Sequence, residues 1–101
     1  MIKTAVVILN WNGKSFLEKF LPSVISFSNA EAKVFVIDNA STDDSVSYLK
    51  QHFTSVGIVQ NKNNGGFSKG YNDGLKHIEA EYFVLLNSDV EVTQPPLDFS
   101  A

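Results

Sequence analysis

Apolar residues along this chain fall into four short runs, separated by stretches in which they recur at helical spacing. Thr4 to Leu9 reads Thr-Ala-Val-Val-Ile-Leu, β-branched and continuous, and predicts a first buried strand. Asn10-Trp11-Asn12-Gly13 breaks it. Phe16, Leu17, Phe20, Leu21, Val24 and Ile25 then follow the i, i+1, i+4, i+5, i+8, i+9 pattern of a broad helical face. Pro22 inside that face is expected to kink the helix or split it. Lys33 to Ile37 predicts a second strand, ending on Asp38-Asn39. Ser41 with Asp44 three residues on reads as a variant capping box, opening a helix whose seam is Val46, Leu49 and Phe53. Val56 to Val59 is a weaker third strand, loosened by Gly57. Asn61-Lys62-Asn63-Asn64-Gly65-Gly66 is a dense loop signal. Phe67, Tyr71, Leu75 and Ile78 mark a third helix. Tyr82 to Leu86 is a fourth apolar run, read as a strand buried on both faces, though so short a run also fits a buried helix turn. It stops on Asn87-Ser88-Asp89.

The order β-α-β-α-β-α-β is that of an α/β protein whose parallel sheet is covered on two faces. Right-handed crossovers leave few topologies, and strand order 3-2-1-4 is expected. Its switch point lies between the first and fourth strands. Asn10-Trp11-Asn12 and Asn87-Ser88-Asp89 should therefore flank one crevice at the carboxyl edge, where open α/β sheets bind ligands.

Composition narrows the ligand. The 101 residues suffice for one domain, 44% of them are apolar, and no repeat, low-complexity tract or linker interrupts them. The net charge is -3 and no basic run is present, which argues against nucleic acid as a partner. All eight basic residues are Lys. A bound phosphate would be held by Lys, backbone amides or a metal, not by a guanidinium fork. Without Cys there is neither a disulfide framework nor a thiolate metal site. The apolar run Ala5 to Leu9 is too short for a signal sequence, no segment could span a membrane, and a cytoplasmic location is the default expectation.

Several residues could carry chemistry at that edge. Asp38, ending the second strand, is either a turn residue or an acceptor for a nucleoside, as the acidic residue of dinucleotide-binding folds is. The turn after the first strand is not Gly-x-Gly-x-x-Gly, so no dinucleotide fingerprint or P-loop is present. Gly66, Gly70 and Gly74 make a bare helical stripe, suited to close packing on the sheet or to a backbone open to ligand. Trp11 is either core or a flat ring covering a base or sugar. Asn87-Ser88-Asp89 is either a turn or a polar strand end, and Asp89 is the best metal candidate. One carboxylate plus solvent and substrate phosphates is typical of Mg or Mn sites. Such an ion would neutralise a nucleotide diphosphate and assist its departure. His52 and His77 stand alone, and no Ser/His/Asp set can be assembled.

Taken jointly, four segments resemble the family 2 glycosyltransferases, in particular their rhamnosyltransferase-like branch. They are Val-Val-Ile-Leu-Asn-Trp-Asn-Gly, Val-Ile-Asp-Asn-Ala-Ser-Thr-Asp-Asp-Ser, Asn-Asn-Gly-Gly-Phe-Ser-Lys-Gly-Tyr-Asn-Asp-Gly-Leu and Leu-Leu-Asn-Ser-Asp-Val. The resemblance covers nearly the whole chain in order and spacing. It implies a three-layer, Rossmann-like GT-A fold and inverting transfer from a nucleotide-diphospho-sugar, a UDP- or dTDP-sugar, to a saccharide or lipid-linked acceptor in cell-surface polysaccharide synthesis. It places Asn10, Trp11 and Asn12 along the nucleotide pocket, Asp38 on the base, Asn64 and Gly65 over the nucleoside, and Asn87-Ser88-Asp89 at the Asp-x-Asp position with Asp89 on the metal. Two residues depart from the pattern: Asn87 replaces the first Asp, and Tyr71 stands where many relatives carry Arg. In the family the acceptor half and the catalytic base follow the Asp-x-Asp strand. Residues 1–101 therefore look like the donor-binding half of a longer, truncated enzyme, acting at the inner face of the membrane.

Other classes remain open on the residues alone. A flavodoxin-like or receiver-like module would use Asp38 and Asp89 as unrelated edge acids, although a receiver pairs acids where this chain has Asn10 and Asn12. A nucleotidyltransferase would want a Gly-rich basic loop, for which only Gly13 and Lys14 stand. A fourth strand lacking its usual cover also predicts a homodimer through that apolar edge.

Overall fold

The computed structural model describes residues 2–27 and 32–87. Strand β1 (Ile2–Asn10) is followed by α1 (Lys14–Phe27), β2 (Ala32–Asp38), α2 (Ser45–His52), β3 (Gly57–Gln60), α3 (Phe67–Leu75) and β4 (Ala80–Asn87). The four strands form one parallel sheet in the order β3-β2-β1-β4, as the topological argument requires. β1 is central. Its register sets Asn10 opposite Asp38 and Leu9 opposite Asn87, so β1, β2 and β4 end together at the carboxyl edge.

The unbroken apolar strands are explained by a core on each side of the sheet. Ile8, Val34 and Val36 face one way, against Leu17 and Leu21 of α1 and Leu49 of α2. Ala5, Val7, Leu9 and Ile37 face the other, against Tyr71 of α3 and Ile78 just beyond it. Alternate side chains of β1 and β2 thus enter different cores, and along their buried stretches neither parity can be polar. The glycine stripe of α3 divides by position. A Cβ at Gly74 would lie 2.4 Å from Ile37 Cδ1, and one at Gly70 would lie 3.0 Å from both Leu9 Cδ1 and Asn39 Nδ2. Those two glycines let the helix lie close on the sheet.

Two local expectations are corrected, and for Pro22 one of two alternatives is removed. Pro22 does not split α1, which runs as one element through it. Pro22 is exposed, and so is Glu18, whose carbonyl loses its usual helical partner and can be hydrated instead. Ser41 is not the cap of α2. The helix begins at Ser45, whose backbone N–H and Oγ both donate to Asp43 Oδ1, at 3.0 and 2.5 Å. Strand β4 is not buried on both faces. Tyr82 is 61% exposed, and Phe83, Val84 and Leu85 between 40% and 46%, although Leu86 packs against the α1 side. Among the described residues β4 is one of the two edge strands, and its middle, Tyr82 to Leu85, is left half-exposed.

Candidate functional site

The carboxyl edge is built from side-chain amides and one carboxylate, and the direction of each follows from strand parity. Asn10 and Asp38 are paired in register and point to the α1/α2 side. Both are buried, and Asn10 Nδ2 donates to Asp38 Oδ1 at 3.0 Å. Asp38 accepts two further bonds from Ser41, from its N–H at 2.9 Å and from its Oγ at 2.7 Å. That return requires the chain to reverse within two residues, and Ala40 does so with a left-handed φ of 64°. Ser41 Oγ in turn accepts from Asn10 Nδ2 and from the N–H of Asn12. Ser41 is thus spent on organising Asp38, which is why it is unavailable to cap a helix.

Asn12 and Trp11 carry the turn onward. Asn12 adopts a left-handed φ of 52°, a conformation asparagine tolerates better than most residues. Its Oδ1 accepts the N–H groups of Thr42 at 2.7 Å and Asp43 at 3.0 Å. Asn10 Oδ1 accepts the N–H of Gly13 at 3.1 Å. The two turns after β1 and β2 are therefore laced together. Trp11, between the two asparagines, is 42% exposed at the strand end, so it is not core. Lys14 pairs with Asp44 at 3.0 Å. This pairing holds the Asp44 carboxyl below its usual range and the Lys14 ammonium above its own.

On the opposite, α3, side stands a residue that the sequence reading passed over. Asn39 is 2% exposed. Its Nδ2 donates to Asn64 Oδ1 at 2.8 Å and to the Gly66 carbonyl at 3.4 Å, and its Oδ1 accepts from Asn61 Nδ2 at 2.9 Å. Asn61 also donates to the Gly70 carbonyl, and Asn64 Oδ1 also accepts the Gly66 N–H. Gly66 has φ 95°, with open space around its Cα. The loop of Asn64 and Gly65 is thereby fixed beside Asp38, and the Lys69 stem lies against Gly65. A polar residue directly after a strand's last in-facing carboxylate must face the other side. That alternation was the available signal for Asn39.

Of the expected site residues, Asn10, Trp11, Asn12, Asp38, Asn64 and Gly65 come to one edge, and the backbone of Asn87 ends β4 at the same level, beside Leu9. Ser88 and Asp89 lie outside the described residues. Among the described residues no three His, Asp or Glu side chains form a group that could hold a metal, so the described part offers no metal cage. Tyr71 is buried, and its hydroxyl donates to the Leu86 carbonyl, joining α3 to β4. Burial pushes its phenol up to about 12. A neutral, buried phenol does not supply the cation that Arg would.

Comparison with known proteins gives this edge a context. Residues 5–97 match the sequence profile of Glycosyl transferase family 2. The chain is 26% identical over 106 residues to the poly(ribitol-phosphate) beta-N-acetylglucosaminyltransferase TarS of Staphylococcus aureus, covering all of this chain and 18% of that protein. The crystal structure of S. aureus TarS residues 1–349 in complex with UDP-GlcNAc superposes with a TM-score of 0.73 at 27% identity, over 86% of this chain and 26% of that one. A mannosyltransferase from Pyrobaculum calidifontis, in complex with GDP-Man and Mn2+, has the same fold, with a TM-score of 0.73 at 22% identity over 86% of this chain and 27% of that one. The fold is therefore GT-A. The chain spans between 14% and 29% of the length of the curated relatives it matches. The flavodoxin-like alternative is not favoured. That fold sets its third strand beside its first, whereas here β4 occupies that place.

Proposed function

The chain belongs to Glycosyl transferase family 2, and from that premise we propose that it is the nucleotide-sugar-binding half of an inverting glycosyltransferase. The observation that carries this reading is the convergence at one sheet edge of Asn10, Trp11, Asp38 and the Asn64-Gly65 loop. On this reading the half-exposed Trp11 ring covers the nucleoside. Asp38 has three of its roughly four acceptor positions filled and keeps one for a base N–H. Asn64 Oδ1 is consumed internally while its Nδ2 makes no hydrogen bond among the described residues, which leaves a donor for the nucleotide. Asn10 and Asn12 shape the pocket rather than touch ligand, because their amides are spent within it.

A divalent cation, Mg or Mn, belongs to the same proposal. Asp89 would be its protein ligand, with Asn87 and Ser88 beside it, and the ion would supply charge neutralisation for the diphosphate. The donor is a UDP- or dTDP-sugar and the acceptor a saccharide or lipid-linked saccharide in cell-surface polysaccharide synthesis, handled in the cytoplasm at the inner membrane face. No helix among the described residues is long and apolar enough to cross a membrane. On this reading the described residues bind the donor, and none of them is assigned as catalytic base. Calorimetric titration with UDP and dTDP, with and without Mg or Mn, tests the reading. Saturable binding strengthened by the metal is expected, and no binding of either nucleotide at millimolar concentration would refute it.

A further inference from the structure

We infer that Asn39 is a positioning residue for nucleotide binding: its buried amide sets the 61–66 loop over the carboxyl edge and thereby the place of Asn64 and Gly65. The inference rests on the nucleotide-site reading above and adds to it a residue that need touch no ligand itself.

The backbone groups around the three amides fix which way each one points. Gly70 O can only accept, so the Asn61 group that meets it is the Nδ2, and the same Nδ2 faces Asn39. The Asn39 atom that receives it is therefore Oδ1. Gly66 N–H can only donate, so the Asn64 atom it meets is Oδ1, and that oxygen also faces Asn39. The Asn39 atom meeting it is therefore Nδ2, which also reaches the Gly66 carbonyl. Three backbone groups thus fix three side-chain amides in one orientation, and position 39 must present a donor to one neighbour and an acceptor to the other, as its amide does. The packing agrees. Gly70 leaves space for the Asn39 Nδ2, which a Cβ there would approach to 3.0 Å. A Cβ at Gly66 would meet nothing, so the amide chain holds this part of the loop together with the backbone bonds from Asn61 N–H to the Asp38 carbonyl and from Gly70 N–H to the Gly66 carbonyl.

Asn39→Asp separates this role from a general contribution to folding. The substituted carboxylate keeps the acceptor for Asn61 but sets a negative oxygen against Asn64 Oδ1 and the Gly66 carbonyl. Protonated, the same group donates again and restores the chain. The charged groups on the elements around it are Asp38 on β2, Lys62 on the loop, and Lys69 on α3, the last bound to Asp73 at 2.7 Å. Burial and the adjacent Asp38 both favour the protonated form of the new carboxyl.

Wild type, Asn39→Asp and Asn39→Ala are compared at about pH 8 and about pH 5 by UDP titration and by hydrogen-exchange protection across residues 61–70, each normalised to wild type. At the higher pH both variants should bind UDP about tenfold more weakly, with lowered protection confined to 61–70. At the lower pH Asn39→Asp should recover toward wild type and Asn39→Ala should not. Unchanged loop protection in Asn39→Asp at the higher pH would overturn the inference. So would equal behaviour of the two variants at both pH values, or loss of protection throughout β1 and β2. Failure of the wild type to bind UDP would refute the nucleotide reading instead, and the exchange data would still decide whether Asn39 holds the loop.

Discussion

The two flanks of the central strand β1 differ in what they spend their side chains on. Toward β2, the strand ends carry buried polar groups that satisfy one another: Asn10 with Asp38 and Ser41 on one side, Asn39 with Asn61 and Asn64 on the other. No described side-chain N or O that is buried lacks a hydrogen bond. Toward β4, the side chains are apolar and half-exposed. A buried polar network holds one arrangement because each broken member leaves an unsatisfied partner. An exposed apolar strand specifies no arrangement of its own beyond its backbone pairing with β1, and it invites a cover. The first fixes one arrangement of polar side chains, and the second leaves apolar surface open.

The contrast is most easily broken by truncation. Ile8→Ala, in the fully buried β1 core, should cost about 2–5 kcal/mol. Leu85→Ala, with 42% of the residue already exposed, should cost less than about 1 kcal/mol. Denaturant melts of the two variants read this directly, and equal losses would mean that β4 is covered in solution.

Tyr71 spans the two flanks and adds a pH test. Its folded phenol lies at about 12 against an ordinary 10.0, raised by burial. A raised acid favours its neutral form in the folded state, so this contribution is complete below pH 10 and is lost as pH rises toward 12. The wild type should lose on the order of 2–3 kcal/mol across that window beyond what Tyr71→Phe loses. Parallel curves for the two proteins would show that the phenol is not buried.

The remaining prediction concerns association. The 101-residue chain on its own should form a two-fold dimer through β4 at micromolar concentration, and Val84→Lys should weaken it without unfolding the chain. Light scattering showing a monomer of 11.1 kDa for the wild type would contradict this.

Much of this architecture is legible in the sequence because it depends on local signals. The β-branched runs that end at Asn10 and Asp38 mark β1 and β2, whose two faces are covered, and the element order then limits the topology. What escaped depends on tertiary partners. An apolar run such as Tyr82 to Leu86 reads the same whether or not a layer covers it. Ser41 is a good cap by residue type, and only its engagement with Asp38, a contact made by the fold, keeps it from serving α2. Pro22 is tolerated because it falls on the exposed face of α1. At the sheet edge, Asp38 and Asn64 stand out by their motif, whereas the place of Asn39 depends on Asn61 and Asn64, more than twenty residues away, and no local signal names those partners.

The central claim is that the laced carboxyl edge is where the nucleotide binds, and the sole tryptophan reports on it. Trp11 stands half-exposed between Asn10 and Asn12, so its fluorescence should change saturably as UDP is added with Mn. The midpoint should match the calorimetric affinity, and Asp38→Ala should shift both together. Calorimetric binding of UDP with no change in Trp11 fluorescence would place the nucleotide elsewhere and contradict the account.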